Sequence, residues 1–163
     1  MVKYLDTAIG FQEIPNETSL CINITNCPCG CKGCHSKWLS EDIGDYLGYE
    51  TLIKLIKNTN EGISCVCFMG GDSEPSWINI LAFKIRREFP TLKIAWYSGR
   101  QYIPDEIDLK NFDYIKIGPY IEKLGPLNSR TTNQQFFKID HVAGKDFVVD
   151  ITSKFWENEY YFK

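Results

Sequence analysis

The chain has 163 residues, of which 44% are hydrophobic and 24% are charged, and its formal net charge is −3 at pH 7. This length predicts a single domain over residues 1–163, and the composition is typical of a folded protein and excludes a disordered one. An acidic balance without a basic run argues against nucleic acid as a partner, because a phosphate-binding surface needs an excess of lysine and arginine.

The start of the chain lacks the apolar segment of a signal peptide, and no apolar stretch approaches the ~18 residues that a membrane span requires. We therefore expect a cytoplasmic protein with no membrane partner. Thiols stay reduced in the cytoplasm, so the seven cysteines indicate metal ligands or buried side chains rather than disulfides.

Alternation of hydrophobic and polar residues predicts strands, and hydrophobic residues spaced by three and four predict helices. The first strand covers residues 19–25 and is followed by a long loop, rich in cysteine and glycine, over residues 26–40. Beyond this loop, strands alternate with helices. The elements predicted there are a helix over 49–57, a strand over 63–69, a helix over 77–89, strands over 92–97, 114–117, 135–139 and 147–151, and a short terminal helix from residue 152 onward.

This order of elements predicts an α/β fold built from right-handed βαβ units around a largely parallel sheet. Ligands of such sheets bind at the carboxyl ends of the strands. The cysteine loop, the Gly70-Gly71 pair, the Ser98-Gly99 pair and Gly118 each follow the end of a predicted strand. We therefore expect these four segments to meet at one edge of the sheet and to form the functional site.

The cysteine loop holds the strongest motif, because Cys27, Cys29, Cys31 and Cys34 follow one another closely. The spacing Cys27-x3-Cys31-x2-Cys34 suits an iron–sulfur cluster, which takes thiolate ligands. Three ligands to a four-iron cluster leave one iron open to a small molecule. Zinc is the competing interpretation, with Cys29 or His35 as a fourth ligand, although the second ligand pair of a typical zinc site is missing downstream.

The loop resembles that of the radical S-adenosylmethionine (SAM) enzymes, in which three cysteines at this spacing bind a 4Fe–4S cluster and SAM chelates the fourth iron. Over nearly the whole chain, the sequence is similar to one subgroup, the anaerobic ribonucleoside-triphosphate reductase-activating proteins. The segments that carry this similarity are Cys-Lys-Gly-Cys-His-Ser at 31–36, Met-Gly-Gly-Asp at 69–72, Trp-Tyr-Ser-Gly at 96–99, Ile-Gly-Pro-Tyr-Ile-Glu at 117–122, Arg-Thr-Thr-Asn-Gln-Gln at 130–135 and Asp-Ile-Thr-Ser-Lys-Phe at 150–155.

The resemblance implies a partial, half-closed βα barrel with a mostly parallel curved sheet. It implies an oxidoreductase-type activating enzyme that cleaves SAM reductively and generates a glycyl radical on anaerobic ribonucleoside-triphosphate reductase. The 4Fe–4S cluster and SAM are then the cofactors, the reductase is the protein substrate, and an electron donor such as a flavodoxin is a further partner.

The same resemblance assigns roles to residues of the loop. Cys27, Cys31 and Cys34 are implied to be the cluster ligands. Gly33, Cys34 and His35 are implied to form part of the cofactor-binding surface, with His35 against the adenosyl part of SAM. A plain turn at Gly33 and a surface position for His35 are the alternatives.

Gly70, Gly71 and Asp72 are implied to bind the methionine end of SAM. Glycines let the backbone approach a ligand closely, and the carboxylate supplies negative charge near the ammonium group. The alternative is a strand-end turn in which Asp72 caps the following helix. Asp72 stands where the superfamily commonly has glutamate, so the acidic group is one methylene shorter.

Other positions depart from this motif or lie outside it. Cys29 is unusual in the loop, and we expect it to point away from the cluster. Asn133 and Gln134 are candidates for contact with SAM or the partner protein, or they organise a loop. The remaining cysteines, which are expected to be buried small hydrophobic residues, are Cys21, Cys65 and Cys67.

Two other functions are consistent with the sequence. The first is a radical SAM enzyme with another substrate, which is either a different glycyl-radical enzyme or a small molecule. The second is a non-enzymatic interaction module stabilised by zinc.

Overall fold

The computed structural model describes residues 1–59 and 62–157. In these ranges the strands are β1 (Lys3–Gly10), β2 (Ser19–Ile24), β3 (Asp45–Tyr46), β4 (Cys65–Met69), β5 (Lys93–Tyr97), β6 (Tyr114–Ile117), β7 (Gln135–Val142) and β8 (Lys145–Asp150). The helices are α1 (Tyr49–Asn58) and α2 (Pro75–Glu88), with short 3-10 turns at Lys37–Ser40, Leu109–Asn111 and Thr152–Phe155. The predicted terminal helix is the last of these turns, and the part of that prediction beyond residue 157 lies outside the described residues.

All of these strands form one sheet in the order β3-β1-β2-β4-β5-β6-β7-β8. Its centre, β2-β4-β5-β6, is parallel. Helix α1 lies between β2 and β4 in the chain, and α2 lies between β4 and β5, as parallel neighbours require. The parallel centre therefore brings the carboxyl ends of four strands to one edge of the sheet.

The α/β fold is confirmed, but the prediction of a mostly parallel sheet is wrong, because four of the seven strand pairings are antiparallel. One antiparallel flank is built on β1, a strand in which only Gly10 is buried and the residues carry little hydrophobic pattern. The other ends in a hairpin where Val142 pairs with Lys145 across Ala143 and Gly144, whose φ angles are 52° and 76°. A two-residue turn of this kind can join only antiparallel strands.

The sheet is open, so the structure does not show the half-closed barrel that the resemblance implies. Two hydrophobic cores pack against its two faces, since successive side chains of a strand point in opposite directions. The helices cover one face, where α2 buries the predicted stripe that includes Ile78, Leu81 and Ile85. The other face contains Cys21, Cys65 and Cys67, which are 5%, 0% and 0% exposed, so their predicted burial is confirmed.

Helix α2 begins with Pro75, whose missing N–H group loses no hydrogen bond in the first turn. It spans 14 residues.

None of the helices in the described part of the chain has both the length and the hydropathy of a membrane span.

Candidate metal centre

The segments that follow the central strands are joined by hydrogen bonds at one edge of the sheet, as the sequence predicts. The carboxylate of Asp72, after β4, accepts hydrogen bonds from the Ser98 hydroxyl at 2.5 Å and from the Gly99 amide at 2.8 Å, both after β5. The loop after β2 reaches the same carboxylate through the Cys29 thiol, whose Sγ lies 3.4 Å from Oδ2. The edge therefore forms one continuous polar site.

Asp72 is 1% exposed and is the central acidic group of this site. The N-cap of α2 is Glu74, and no side chain caps the helix, so the capping alternative for Asp72 is wrong. Arg100 lies beside it, with Nη2 donating to the Asp72 carbonyl oxygen at 2.6 Å and Nε 3.7 Å from Oδ1. These donors hold a buried carboxylate in a defined position.

The structure brings Cys29 into the site instead of away from it. The ligand atoms of Cys27, Cys29 and Asp72 all lie within 4.8 Å of one another. Cys29 therefore lies on the same side as Cys27, against the expectation that it points away from the cluster. Residues two positions apart in an extended segment share a face, so this spacing brings the two thiols together. The space that Cys29 occupies depends on Gly99, where an added Cβ would come within 2.7 Å of the Cys29 Sγ.

Cys31 and Cys34 lie in the same loop but do not belong to this close group of ligand atoms. The Cys34 amide donates to the Cys31 carbonyl oxygen at 3.3 Å, and the Ser36 amide donates to the Cys34 Sγ at 3.4 Å. Both thiols are free and half-buried, like those of Cys27 and Cys29. The loop thus offers four accessible thiols, and the assignment of three of them as cluster ligands stays a prediction.

Electrostatics in the loop favour a thiolate at Cys27. A hydrogen bond from Cys29 lowers the pKa of the Cys27 thiol to about 6, and the positive charge of Lys116 acts in the same direction. The same hydrogen bond, together with burial and the charge of Asp72, raises the pKa of Cys29. Since the thiolate is the form that binds metal, Cys27 is prepared for ligation at neutral pH.

Lys116 is a site residue that the sequence analysis did not identify. It lies on β6, is 8% exposed, and donates to the carbonyl oxygens of Ser98 at 3.0 Å and Gly118 at 2.8 Å. Burial lowers its pKa to about 8, while the charges of Asp72 and of three loop cysteines oppose that shift. The sequence does contain a signal for this residue, because a charged lysine stands between two isoleucines in a strand predicted to be apolar.

The glycines predicted to approach SAM make close contacts within the protein. Gly71 has a φ of 96°, and an added Cβ would lie 2.5 Å from Cδ1 of Ile78 in the core. The Gly70 carbonyl oxygen accepts a hydrogen bond from the Trp96 Nε1 at 2.8 Å. Both contacts belong to the turn between β4 and α2, and the approach of these glycines to SAM stays a prediction.

Gly33 and His35 lie at the rim of the loop. Gly33 has a φ of 78°, and an added Cβ would come within 3.2 Å of Oε2 of Glu122. The exposed His35 ring lies 5.7 Å from the Tyr120 ring, measured between centroids. The segment after β6 therefore forms the opposite wall of the loop.

Asn133 and Gln134 support that wall. Nδ2 of Asn133 donates to the Pro119 carbonyl oxygen at 3.0 Å, and Nε2 of Gln134 donates to that of Gly118 at 3.5 Å. Three roles were considered for this pair: contact with SAM, contact with a partner protein, and organisation of a loop. The described contacts are those of residues that organise a loop. Oδ1 of Asn133 is buried without a hydrogen-bond partner among the described atoms.

The donor set fits an iron–sulfur cluster chemically. Such clusters are held by thiolates, and this loop carries four half-buried thiols that form no disulfide. A cluster with thiolate ligands is anionic, and the buried ammonium of Lys116 lies where its charge acts on Cys29, Cys31 and Cys34. The site can therefore hold negative charge in a partly buried position.

Comparison with known proteins identifies a family. The family model described as "4Fe-4S single cluster domain" matches residues 18–134, which is most of the chain and includes β2, the cysteine loop and all the strand ends of the site. No curated protein and no solved structure matches the chain significantly. The chain belongs to the 4Fe-4S single cluster domain family, and the donor chemistry of its cysteine loop agrees with that membership.

Proposed function

We propose that this protein is a radical SAM activating enzyme that generates a glycyl radical on anaerobic ribonucleoside-triphosphate reductase. The observation that carries the proposal is the Cys27-x3-Cys31-x2-Cys34 loop at the carboxyl ends of the parallel strands, beside a buried carboxylate. Family membership supports the cluster, and the resemblance described above supports SAM and the partner.

In this proposal Cys27, Cys31 and Cys34 hold the cluster, and one iron is left for SAM. When bound, the cluster supplies one electron to SAM and so generates the radical that removes a hydrogen atom from a glycine. The residues of the chain hold, orient and shield these groups. Lys116 balances the negative charge of the loop, and Asp72 faces the amino group of SAM.

The segment from 118 to 134 shapes the opening of the site. Its buried Gln134 and half-buried Asn133 bind backbone carbonyl groups and hold this wall in place. The sheet does not close into a barrel, which suits a substrate that enters as a loop of another protein.

The test is anaerobic incubation of the reconstituted protein with SAM, a reductant and the candidate reductase, followed by electron paramagnetic resonance. We expect a glycyl-radical doublet that requires SAM and is lost in the Cys31→Ala variant. SAM cleavage without a glycyl radical on the reductase would instead indicate a radical SAM enzyme with another substrate.

One observation favours a second candidate, a module stabilised by zinc. The ligand atoms of Cys27, Cys29 and Asp72 lie close enough together for a single ion. Only three ligand atoms of the described residues meet in this group, whereas a structural zinc site takes four. Metal analysis of the purified protein separates the candidates, since a four-iron protein is brown and a zinc protein is colourless.

A further inference from the structure

Cys29 lies deeper in the site than its position outside the three-cysteine motif suggests. Its Sγ is 3.4 Å from Oδ2 of Asp72 and within 4.8 Å of the Cys27 Sγ. It also packs against Gly99, since a Cβ added there would be 2.7 Å from the same sulfur. A thiol is thus placed between a proposed cluster ligand and the carboxylate proposed to face SAM.

This position is significant because of what has to bind there. If SAM chelates the open iron and its amino group faces Asp72, then the methionine end of SAM and the Cys29 thiol compete for the same space. A thiolate is also a good ligand for iron in its own right.

We propose that Cys29 is a fourth, exchangeable ligand that binds the open iron of the cluster until SAM replaces it. This inference rests on the proposed function. The exchange changes no oxidation state. The bond between iron and the Cys29 sulfur breaks, and the carboxylate and the nitrogen of SAM form bonds to that iron. The proton that the ammonium group of SAM loses on binding is taken up by the released thiolate.

The local backbone is compatible with such an exchange. Cys29 is followed by Gly30, where a Cβ would meet no atom within 4 Å. The loop therefore has free space next to the residue that must move. Without SAM all four irons would have a protein ligand, and the cluster would be protected against loss of the open iron.

The experiment compares wild type with Cys29→Ala, Cys29→Ser and the control Cys21→Ala, which removes a buried cysteine outside the loop. Each protein is reconstituted anaerobically, its iron content is measured, and SAM binding is titrated. We expect equal iron contents. If Cys29 holds the iron in about 90% of the molecules, SAM should bind Cys29→Ala about tenfold more tightly than wild type.

A second readout does not depend on SAM. Mild oxidation without SAM should produce a 3Fe–4S signal in electron paramagnetic resonance faster in both Cys29 variants than in wild type or Cys21→Ala. Serine can keep the hydrogen bond to Asp72 but is a poorer iron ligand than a thiolate. If Cys29→Ser is oxidised as slowly as wild type, the hydrogen bond to Asp72, and not ligation by sulfur, protects the cluster, and the inference is overturned.

The outcomes also separate this inference from the proposed function. Equal SAM affinity and equal oxidation in wild type and Cys29→Ala would overturn the inference alone. A wild-type protein that assembles no four-iron cluster would overturn the proposed function together with it.

Discussion

The Ser98 hydroxyl donates a hydrogen bond of 2.5 Å to Oδ1 of Asp72, and both residues are 1% exposed. This bond joins the turn after β4 to the turn after β5, across 26 residues of chain. The carboxylate that we propose to face SAM therefore also connects two strand ends.

Replacement of a cluster ligand should abolish cluster assembly. We expect Cys27→Ala, Cys31→Ala and Cys34→Ala each to lose the four-iron cluster and SAM cleavage, because a four-iron cluster needs several thiolate ligands. Iron analysis and the absorption near 400 nm after anaerobic reconstitution measure this. Cys65→Ala, at a fully buried position in the core, is the control and should keep its iron. A full cluster in any one of the three ligand variants would show that its assignment is wrong.

Asp72→Asn should weaken SAM binding and leave the iron content unchanged. The variant keeps the shape of the side chain but removes a charge worth roughly 1.5–3 kcal/mol in a buried hydrogen bond, which corresponds to about a 10- to 150-fold loss of SAM affinity. SAM titration with iron measured in the same samples tests this. The same change at the exposed Asp45 is the control. Unchanged affinity in Asp72→Asn would leave this residue with only its role between the strand ends.

Ser98→Ala tests the structural role of Asp72 separately. It removes the hydroxyl that donates to Oδ1 but leaves the charge in place. We expect a loss of stability of about 1–3 kcal/mol, because a buried acceptor loses a partner, and a smaller change in SAM affinity than in Asp72→Asn. Denaturant unfolding and SAM titration measure the two effects. A larger loss of SAM affinity in Ser98→Ala would contradict the charge-based role of Asp72.

Gly71→Val should destabilise the fold rather than block SAM directly. A Cβ at this position would approach Ile78 to 2.5 Å, and the φ of 96° is unfavourable for valine. Overpacking of a core typically costs about 1–3 kcal/mol. The control is Gly144→Val, where φ is 76° but a Cβ meets no atom within 4 Å. Equal losses of stability in both variants, measured by denaturant unfolding, would mean that backbone strain and not the contact with Ile78 dominates.

The buried lysine predicts a pH dependence of stability in the metal-free protein. The pKa of Lys116 is about 8 in the fold, below its ordinary value of 10.5, so the unfolded chain binds more protons between these pH values. The free energy of unfolding should therefore rise with pH across this window, by at most ~3 kcal/mol. Below pH 8 the penalty for burying the charge is fully present.

Lys116→Met isolates this contribution. Urea unfolding at pH 7.5 and pH 10 should show a smaller rise in stability for the variant than for wild type, because methionine has no proton to release. Lys93→Met, at an exposed position of β5, should retain the wild-type rise. An identical pH dependence in wild type and Lys116→Met would show that Lys116 keeps its ordinary pKa.

The sequence by itself determined the features that depend on residues close together in the chain. The spacing of Cys27, Cys31 and Cys34 indicates a cluster, and the family match agrees with it. The apolar run at 63–69 predicts β4, and the stripe on α2 predicts its buried face, because strand and helix periods are local properties. The strand ends then locate the site, since the carboxyl ends of parallel strands meet at one edge.

Only the tertiary structure decided which side chains lie together at that edge. The contact between Cys29 and Asp72 joins residues 43 positions apart, and it reverses the expectation that Cys29 points away. Lys116 is recognisable as a site residue only once β6 is placed beside β5, where its ammonium reaches the Ser98 carbonyl oxygen. Gly71 likewise belongs to the core because Ile78 packs against it. Pattern and spacing report local conformation, whereas charge, burial and contact between distant residues arise only when the chain has folded.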